Sequence, residues 1–126
     1  MRVYKVKVFA RFQRRERIAE TALAKAIESA ELGLVDAELG GGLIKQRIAR
    51  PGRGKSGGYR TVIAYRRGDL AIFLLGFAKN ERANISAEEL EELKMQTQVF
   101  FGLTHDQIEA AIAEAELTEV NYGEDE

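Results

Sequence analysis

Residues 40–67 read GGGLIKQRIARPGRGKSGGYRTVIAYRR. Within it, 43–49 alternates: Ile44 and Ile48 point one way, Lys45 and Arg47 the other. That period of two predicts a half-buried strand with two cations on its open face. Alternation resumes from Tyr59 to Tyr65, with Tyr59, Thr61, Ile63 and Tyr65 on one face and Arg60, Val62, Ala64 and Arg66 on the other. Between them, 50–58 holds four glycines and the chain's one proline, which predicts a loop. The stretch carries eight Lys or Arg and no Asp or Glu. A merely solvated strand face more often mixes signs, so a cationic surface built on two strands is the first expectation.

Downstream, Arg67-Gly68-Asp69 predicts a hairpin turn, and 70–78, LAIFLLGFA, is apolar on both faces, as in a strand buried mid-sheet. Polarity then changes abruptly at Lys79-Asn80-Glu81-Arg82. Ser86 with Glu89 has capping-box spacing, and Ile85 with Leu90 that of a hydrophobic staple, so a helix starts there, with Leu90, Leu93, Thr97 and Phe100 inward and Gly102 ending it. Thr104 with Gln107 and Leu103 with Ile108 repeat the device for a helix to about Ala115. LTEVNY is a candidate last strand, and 123–126 a frayed end.

Upstream, 3–8 reads as a strand and 9–20 as a helix whose outer face carries Arg11, Arg14, Arg15 and Arg17. That face reads equally well as a solvated surface. Leu23, Ala26, Ile27 and Ala30 stripe a second helix over 22–32, with Gly33 placed as its cap. Two successive helices suggest a helical hairpin laid on the sheet, and 34–42 a glycine-ended connector. Strands run together rather than alternating with helices, so the class is α+β: an antiparallel sheet of about four strands with helices packed on it. One domain fits the 126 residues, with a core over 3–102 and an acidic helical extension over 103–126.

The net charge of −1 hides an asymmetry. Residues 1–85 hold 18 basic and 8 acidic side chains, a balance of +10, whereas 86–126 hold Lys94 against 12 acids, a balance of −11. A basic body suits a polyanion, and an acidic tail suits solubility or shielding. The absence of cysteine excludes disulfides and thiolate metal sites, and a single histidine, His105, argues against zinc or histidine-based triad chemistry. No cofactor is implied. With no long apolar run and no secretory leader, a cytoplasmic protein without membrane partners is expected.

Residues 49–56, ARPGRGKS, satisfy a permissive P-loop pattern. A P-loop requires a helix opening at the Lys-Ser pair, so that its amides hold phosphate. Here Gly-Gly and a strand pattern follow, and nucleotide hydrolysis is rejected. A phosphate cradle for RNA or DNA fits better. Glycine amides approach phosphate closely, Arg50, Arg53 and Lys55 supply mobile charge, and Lys45, Arg47, Arg60 and Arg66 come from strands. Tyr59 and Tyr65 offer rings for base stacking, although cross-strand packing is the better reading for Tyr65 and an equal one for Tyr59. Glu81 reads as a general base or, preferably, as an ion-pair partner of Arg82 or Arg60. Lys94 reads as a solvated i,i+3 partner of Glu91.

The segments GGLIKQRIARPGRGKSGGYRTVIAYRR (41–67) and LLGFAKNERANIS (74–86) resemble the HigB-like branch of the RelE/ParE toxin superfamily. The order matches over roughly 5–101: cationic strand, glycine-rich loop, Gly-Tyr-Arg strand, buried strand ending in Lys-Asn-Glu, capped helix. The resemblance implies a small toxin that cleaves messenger RNA on the ribosome and is neutralised by an antitoxin, here expected to carry a helix-turn-helix domain. It also implies catalysis by clustered cations, which stabilise a phosphorane and favour loss of a lysine proton. Carried over, Arg60 and Arg47 hold the scissile phosphate, Lys45 or Lys79 moves protons, Lys55 and Arg53 clamp the backbone, and Asn80 and Arg82 orient RNA. The chain departs from the RelE pattern by having Asn80 in place of an arginine and Ile85-Ser86 in place of a tyrosine. A ParE-like gyrase inhibitor and a non-catalytic RNA-binding relative are the alternatives.

Overall fold

The computed structural model describes residues 1–50 and 54–122, with side chains for all of these except 54–57. Strand β1 (Arg2–Val6) runs directly into helix α1 (Lys7–Glu16), followed by α2 (Glu20–Glu31), β2 (Ala37–Gly40), β3 (Leu43–Arg50), β4 (Gly54–Arg66) and β5 (Leu70–Ala78). Helices α3 (Ala87–Phe101) and α4 (His105–Ala113) and strand β6 (Leu117–Glu119) complete the chain. The strands form one sheet in the order β2-β3-β4-β5-β1-β6.

The α+β class is as expected, but the sheet has six strands rather than about four among the described residues, and it is mixed, because β1 runs parallel to β5. The chain reaches that position through the crossover that contains α1 and α2. The helices lie on the sheet, but the expected hairpin arrangement differs in detail, because α1 seats on β5 and α2 on β3. One polar network links them. Buried Lys5 donates to Gln13 Oε1 and to Glu20 Oε2, each at 2.6 Å, and Gln13 Nε2 donates to Ile18 O and Glu20 Oε2.

The two sheet faces differ in cover. Ile44, Gln46 and Ile48 are buried on the α1/α2 side, where Gln46 Nε2 donates to the carbonyl of Ala26 at 2.9 Å. Phe9 packs on Phe73, with centroids 4.9 Å apart. Gly76 is where Phe12 crosses the sheet: a Cβ there would lie 2.4 Å from the Phe12 ring. The opposite face is covered by α3, through Leu93 and Thr97, only over part of its width.

Several local readings hold. Both capping boxes form, at Ser86–Glu89 and Thr104–Gln107. Gly33, at φ 86°, closes α2 with its N–H on Ala30 O, while the Leu34 N–H reaches Ser29 O, the Schellman pair of bonds. The turn at 67–69 lies between β4 and β5, with Gly68 at φ 72°. Others are corrected. The connector 34–42 contains β2, paired antiparallel to β3, and β4 begins at Gly54 rather than Tyr59. The rest of the predicted loop, 51–53, and the terminal 123–126 lie outside the described residues. As far as it is described, the 103–126 extension packs on the rest of the chain: Ile108, Leu117 and Val120 are buried in the common core, and β6 pairs with β1. Among the described residues no helix is long and apolar enough to cross a membrane.

Candidate nucleic-acid interface

Strand register places the strand cations. In the antiparallel β3–β4 pair, Arg47 stands opposite Arg60 and Lys45 opposite Val62; in the β4–β5 pair, Arg60 stands opposite Phe77 and Val62 opposite Leu75. One row therefore reads Arg47–Arg60–Phe77, and the next Lys45–Val62–Leu75. Two residues along a strand separate them by about 7 Å. All lie on the face away from α1 and α2.

The segment after β5 folds back onto these rows. The Arg82 guanidinium lies 4.8 Å from the Phe77 ring centroid, and its Nη1 reaches Glu89 Oε1 at 2.7 Å. Lys45 Nζ donates to Asn84 Oδ1 at 3.4 Å. At the sheet edge, the Arg47 backbone N–H donates to Asp36 Oδ2, and its Nη2 lies 3.4 Å from Asp36 Oδ1. The hydrogen bond from Arg82, followed by one from the Ser86 backbone, holds the Glu89 carboxyl below its ordinary range. Beside the cluster, a groove of about 620 Å³ is floored by Leu75, Leu93 and Phe100 and edged by Glu89.

The structure thus brings Lys45, Arg47, Arg60 and Arg82 to one sheet face. Lys79 and Asn80 are exposed in the turn that leaves β5, where the Lys79 N–H meets Gly58 O at 3.4 Å. Arg53 and the side chain of Lys55 lie outside the described residues. Arg50 is elsewhere: its guanidinium lies 5.3 Å from the Tyr59 ring centroid, on the helix-covered side. Tyr59 is 3% exposed, meets Phe12 edge-on and donates to Glu16. Packing between Phe12 and Arg50 is therefore what the structure shows for Tyr59, rather than an open platform for a base. Tyr65 donates to Glu31, with burial first and that carboxylate second pushing its phenol upward. Arg66 is engaged with Asp69 and the Phe101 ring. The expected Glu81–Arg82 pair is replaced by Glu89–Arg82, since the capping glutamate sits within reach and Glu81 is exposed in the turn. The i,i+3 contact of Lys94 with Glu91 is present at 3.9 Å.

The P-loop reading fails in structure as in sequence: Lys55 and Ser56 lie inside β4, not at a helix start. Four contributors escaped sequence reasoning. Asp36, Asn84, Phe77 and the second role of Glu89 depend on contacts across the fold, and only Glu89 carried any signal, its capping-box spacing. Two arginines opposite each other in strand register, with a lysine one row away, put onto one sheet face positive charge of the kind that binds phosphate.

A family model described as RelE toxin of RelE / RelB toxin-antitoxin system matches residues 1–120. No curated protein matches the chain.

Proposed function

The chain belongs to the RelE family of toxin–antitoxin toxins, and from that premise we propose that it is a ribosome-dependent endoribonuclease of the HigB-like branch, acting in the cytoplasm. The observation that supports this most is the Arg47–Arg60 pair, fixed by strand register, with Lys45 one row away on the same open face. Strand-borne cations are held in position far better than loop-borne ones, and catalysis of phosphoryl transfer rests on positioning and charge.

Cleavage requires a ribose 2′-oxygen to lose its proton and attack the adjacent phosphorus. The phosphorane then expels the 5′-oxygen, which takes up a proton, and a 2′,3′-cyclic phosphate is left. In this reading Arg47 and Arg60 bind the non-bridging oxygens and stabilise the phosphorane. Lys45 and Lys79 are the proton carriers. Arg82 and Asn80 orient the substrate, Arg82 being held by Phe77 and Glu89. Arg53 and Lys55 grip the neighbouring backbone. A helix-turn-helix antitoxin would neutralise the protein.

Expression in cells with primer extension on a translated message tests the reading: cuts within codons are expected, absent with Arg60→Ala. Growth arrest with uncut messages and poisoned gyrase would assign the ParE-like alternative instead.

A further inference from the structure

The entry to α3 repeats one arrangement twice. Asn84 Oδ1 accepts from the Ile85 backbone N–H at 2.9 Å and from Lys45 Nζ at 3.4 Å. Glu89 Oε1 accepts from the Ser86 backbone N–H at 3.1 Å and from Arg82 Nη1 at 2.7 Å. In each case a side-chain oxygen that satisfies a backbone donor at the helix entry also takes a cation of the sheet face. The backbone needs only the first of these bonds.

The second bond decides where each cation stands. Glu81 is next to Arg82 in sequence and exposed in the turn, yet Arg82 pairs with Glu89 and lies over the Phe77 ring. Phe77 stands opposite Arg60, and Arg60 opposite Arg47, so Arg82 carries guanidinium charge to the third position of that row. Glu89 takes one of its N–H donors, and a guanidinium has five, enough to bind a phosphate as well. The side chains of Arg82 and Glu89 are 36% and 35% exposed. A pair so open to solvent contributes little to stability, and its consequence is geometric: it keeps the guanidinium over the sheet.

We propose that Asn84 and Glu89 are positioning residues of the sheet-face site. Glu89 holds Arg82 as a third phosphate-binding guanidinium beside Arg47 and Arg60, and Asn84 holds Lys45 one row away. This rests on the reading of that face as an RNA site, but not on cleavage. Neither residue touches the RNA; each acts through the cation it holds. Without Glu89 the Arg82 side chain is released to its many rotamers, and RNA binding then costs the entropy of ordering it. The expected sign is opposite to that of charge alone, since removing a carboxylate beside a cationic surface would strengthen its hold on a polyanion.

The test is a double-mutant cycle read by fluorescence anisotropy of the full chain with a labelled single-stranded RNA of about 12 nucleotides. Arg82→Ala is expected to bind about fivefold more weakly near 0.1 M salt, with a log K against log salt slope shallower by about 1. Glu89→Ala should also bind more weakly, although it removes a negative charge, and Arg82→Ala/Glu89→Ala no more weakly than Arg82→Ala. Glu89→Gln keeps an acceptor for Ser86 and Arg82 and should bind at least as tightly as the native chain. Lys45→Ala and Asn84→Ala should be non-additive in the same way. Ser86→Ala loses the cap hydroxyl but neither acceptor: it should unfold at lower urea and bind as the native chain does. Tighter binding by Glu89→Ala, an additive double variant, or an equal loss in Ser86→Ala would each overturn the proposal and leave Glu89 as a helix cap. A native chain that binds no RNA would overturn this and the reading of the sheet face together. Messages left uncut, with the non-additive loss of binding intact, would remove the cleavage reading and leave the positioning roles standing.

Discussion

Arg47 and Arg60 face each other directly across the β3–β4 ladder. Like charges in that relation oppose folding by a few tenths of a kcal/mol, and on Arg47 the ion pair with Asp36 works against that repulsion. Stability and RNA affinity should therefore separate at this position. Arg47→Gln loses an exposed ion pair with Asp36 and a repulsion with Arg60. These offset, and urea unfolding should shift by less than about 0.5 kcal/mol, while single-stranded RNA binds several-fold more weakly. A large destabilisation would mean that the pair serves the fold.

Gly76 should not tolerate a methyl group. Its Cβ would lie 2.4 and 2.5 Å from Phe12 ring atoms and 3.0 Å from Phe9, and both rings are buried between α1 and the sheet. Gly76→Ala is expected to cost about 1–3 kcal/mol in urea unfolding, as overpacking does. An unchanged midpoint would show that α1 can lift from β5 without penalty.

Removing the Lys5 ammonium should be costly. It is 8% exposed and satisfies both Gln13 and Glu20. Lys5→Met keeps the volume but leaves the Gln13 carbonyl oxygen and the Glu20 carboxylate short of a donor. A loss of about 1–3 kcal/mol is expected, measured by chemical unfolding. A Lys5→Met/Glu20→Met/Gln13→Leu variant should recover part of it, since it removes the unmet Gln13 oxygen and Glu20 carboxylate but takes from the Ile18 carbonyl its Gln13 donor.

Acid should destabilise the fold through depressed carboxyls. A hydrogen bond from Arg82 lowers Glu89, and one from Tyr65 lowers Glu31. For Glu20, burial alone would raise the value, but hydrogen bonds from Lys5 and Gln13 outweigh it, and the net shift is downward. A folded value below the unfolded one contributes stability that is complete above the unfolded value and is lost as pH falls through the folded one. Urea midpoints should be level from neutrality to about pH 5 and fall below about pH 4.3, less steeply in Glu89→Gln. A midpoint that rises on acidification would contradict these assignments.

Much of this arrangement was legible in the residues. The alternation of Ile44 and Ile48 with Lys45 and Arg47 gives the face of each side chain, because strand periodicity is local. The apolar run 70–78 gives a central strand, and Ser86–Glu89 and Thr104–Gln107 give helix starts to the residue. What was not legible is relational. β2 is four residues long with half of its residues exposed, so it carries no apolar pattern. Gly54 and Gly57-Gly58 read as turn although β4 runs through them, since pairing with a neighbour overrides glycine's low strand preference. The parallel β1–β5 pairing joins segments far apart in sequence, which local pattern cannot rank. Tyr59 illustrates the same limit: its face was correct, but only the packing of α1 shows that this face is covered.

Cleavage of a ribosome-bound message is tested most directly with purified components. A 5′-labelled message on programmed ribosomes is incubated with the native chain or with Arg60→Ala, and the 3′ end of any fragment is analysed. A ribosome-dependent cut ending in a 2′,3′-cyclic phosphate is expected, absent with Arg60→Ala and absent when the attacking 2′-hydroxyl is replaced by hydrogen. A message left intact by the native chain, or cut equally well in its 2′-deoxy form, would contradict the assignment of the Lys45–Arg47–Arg60 face to RNA cleavage.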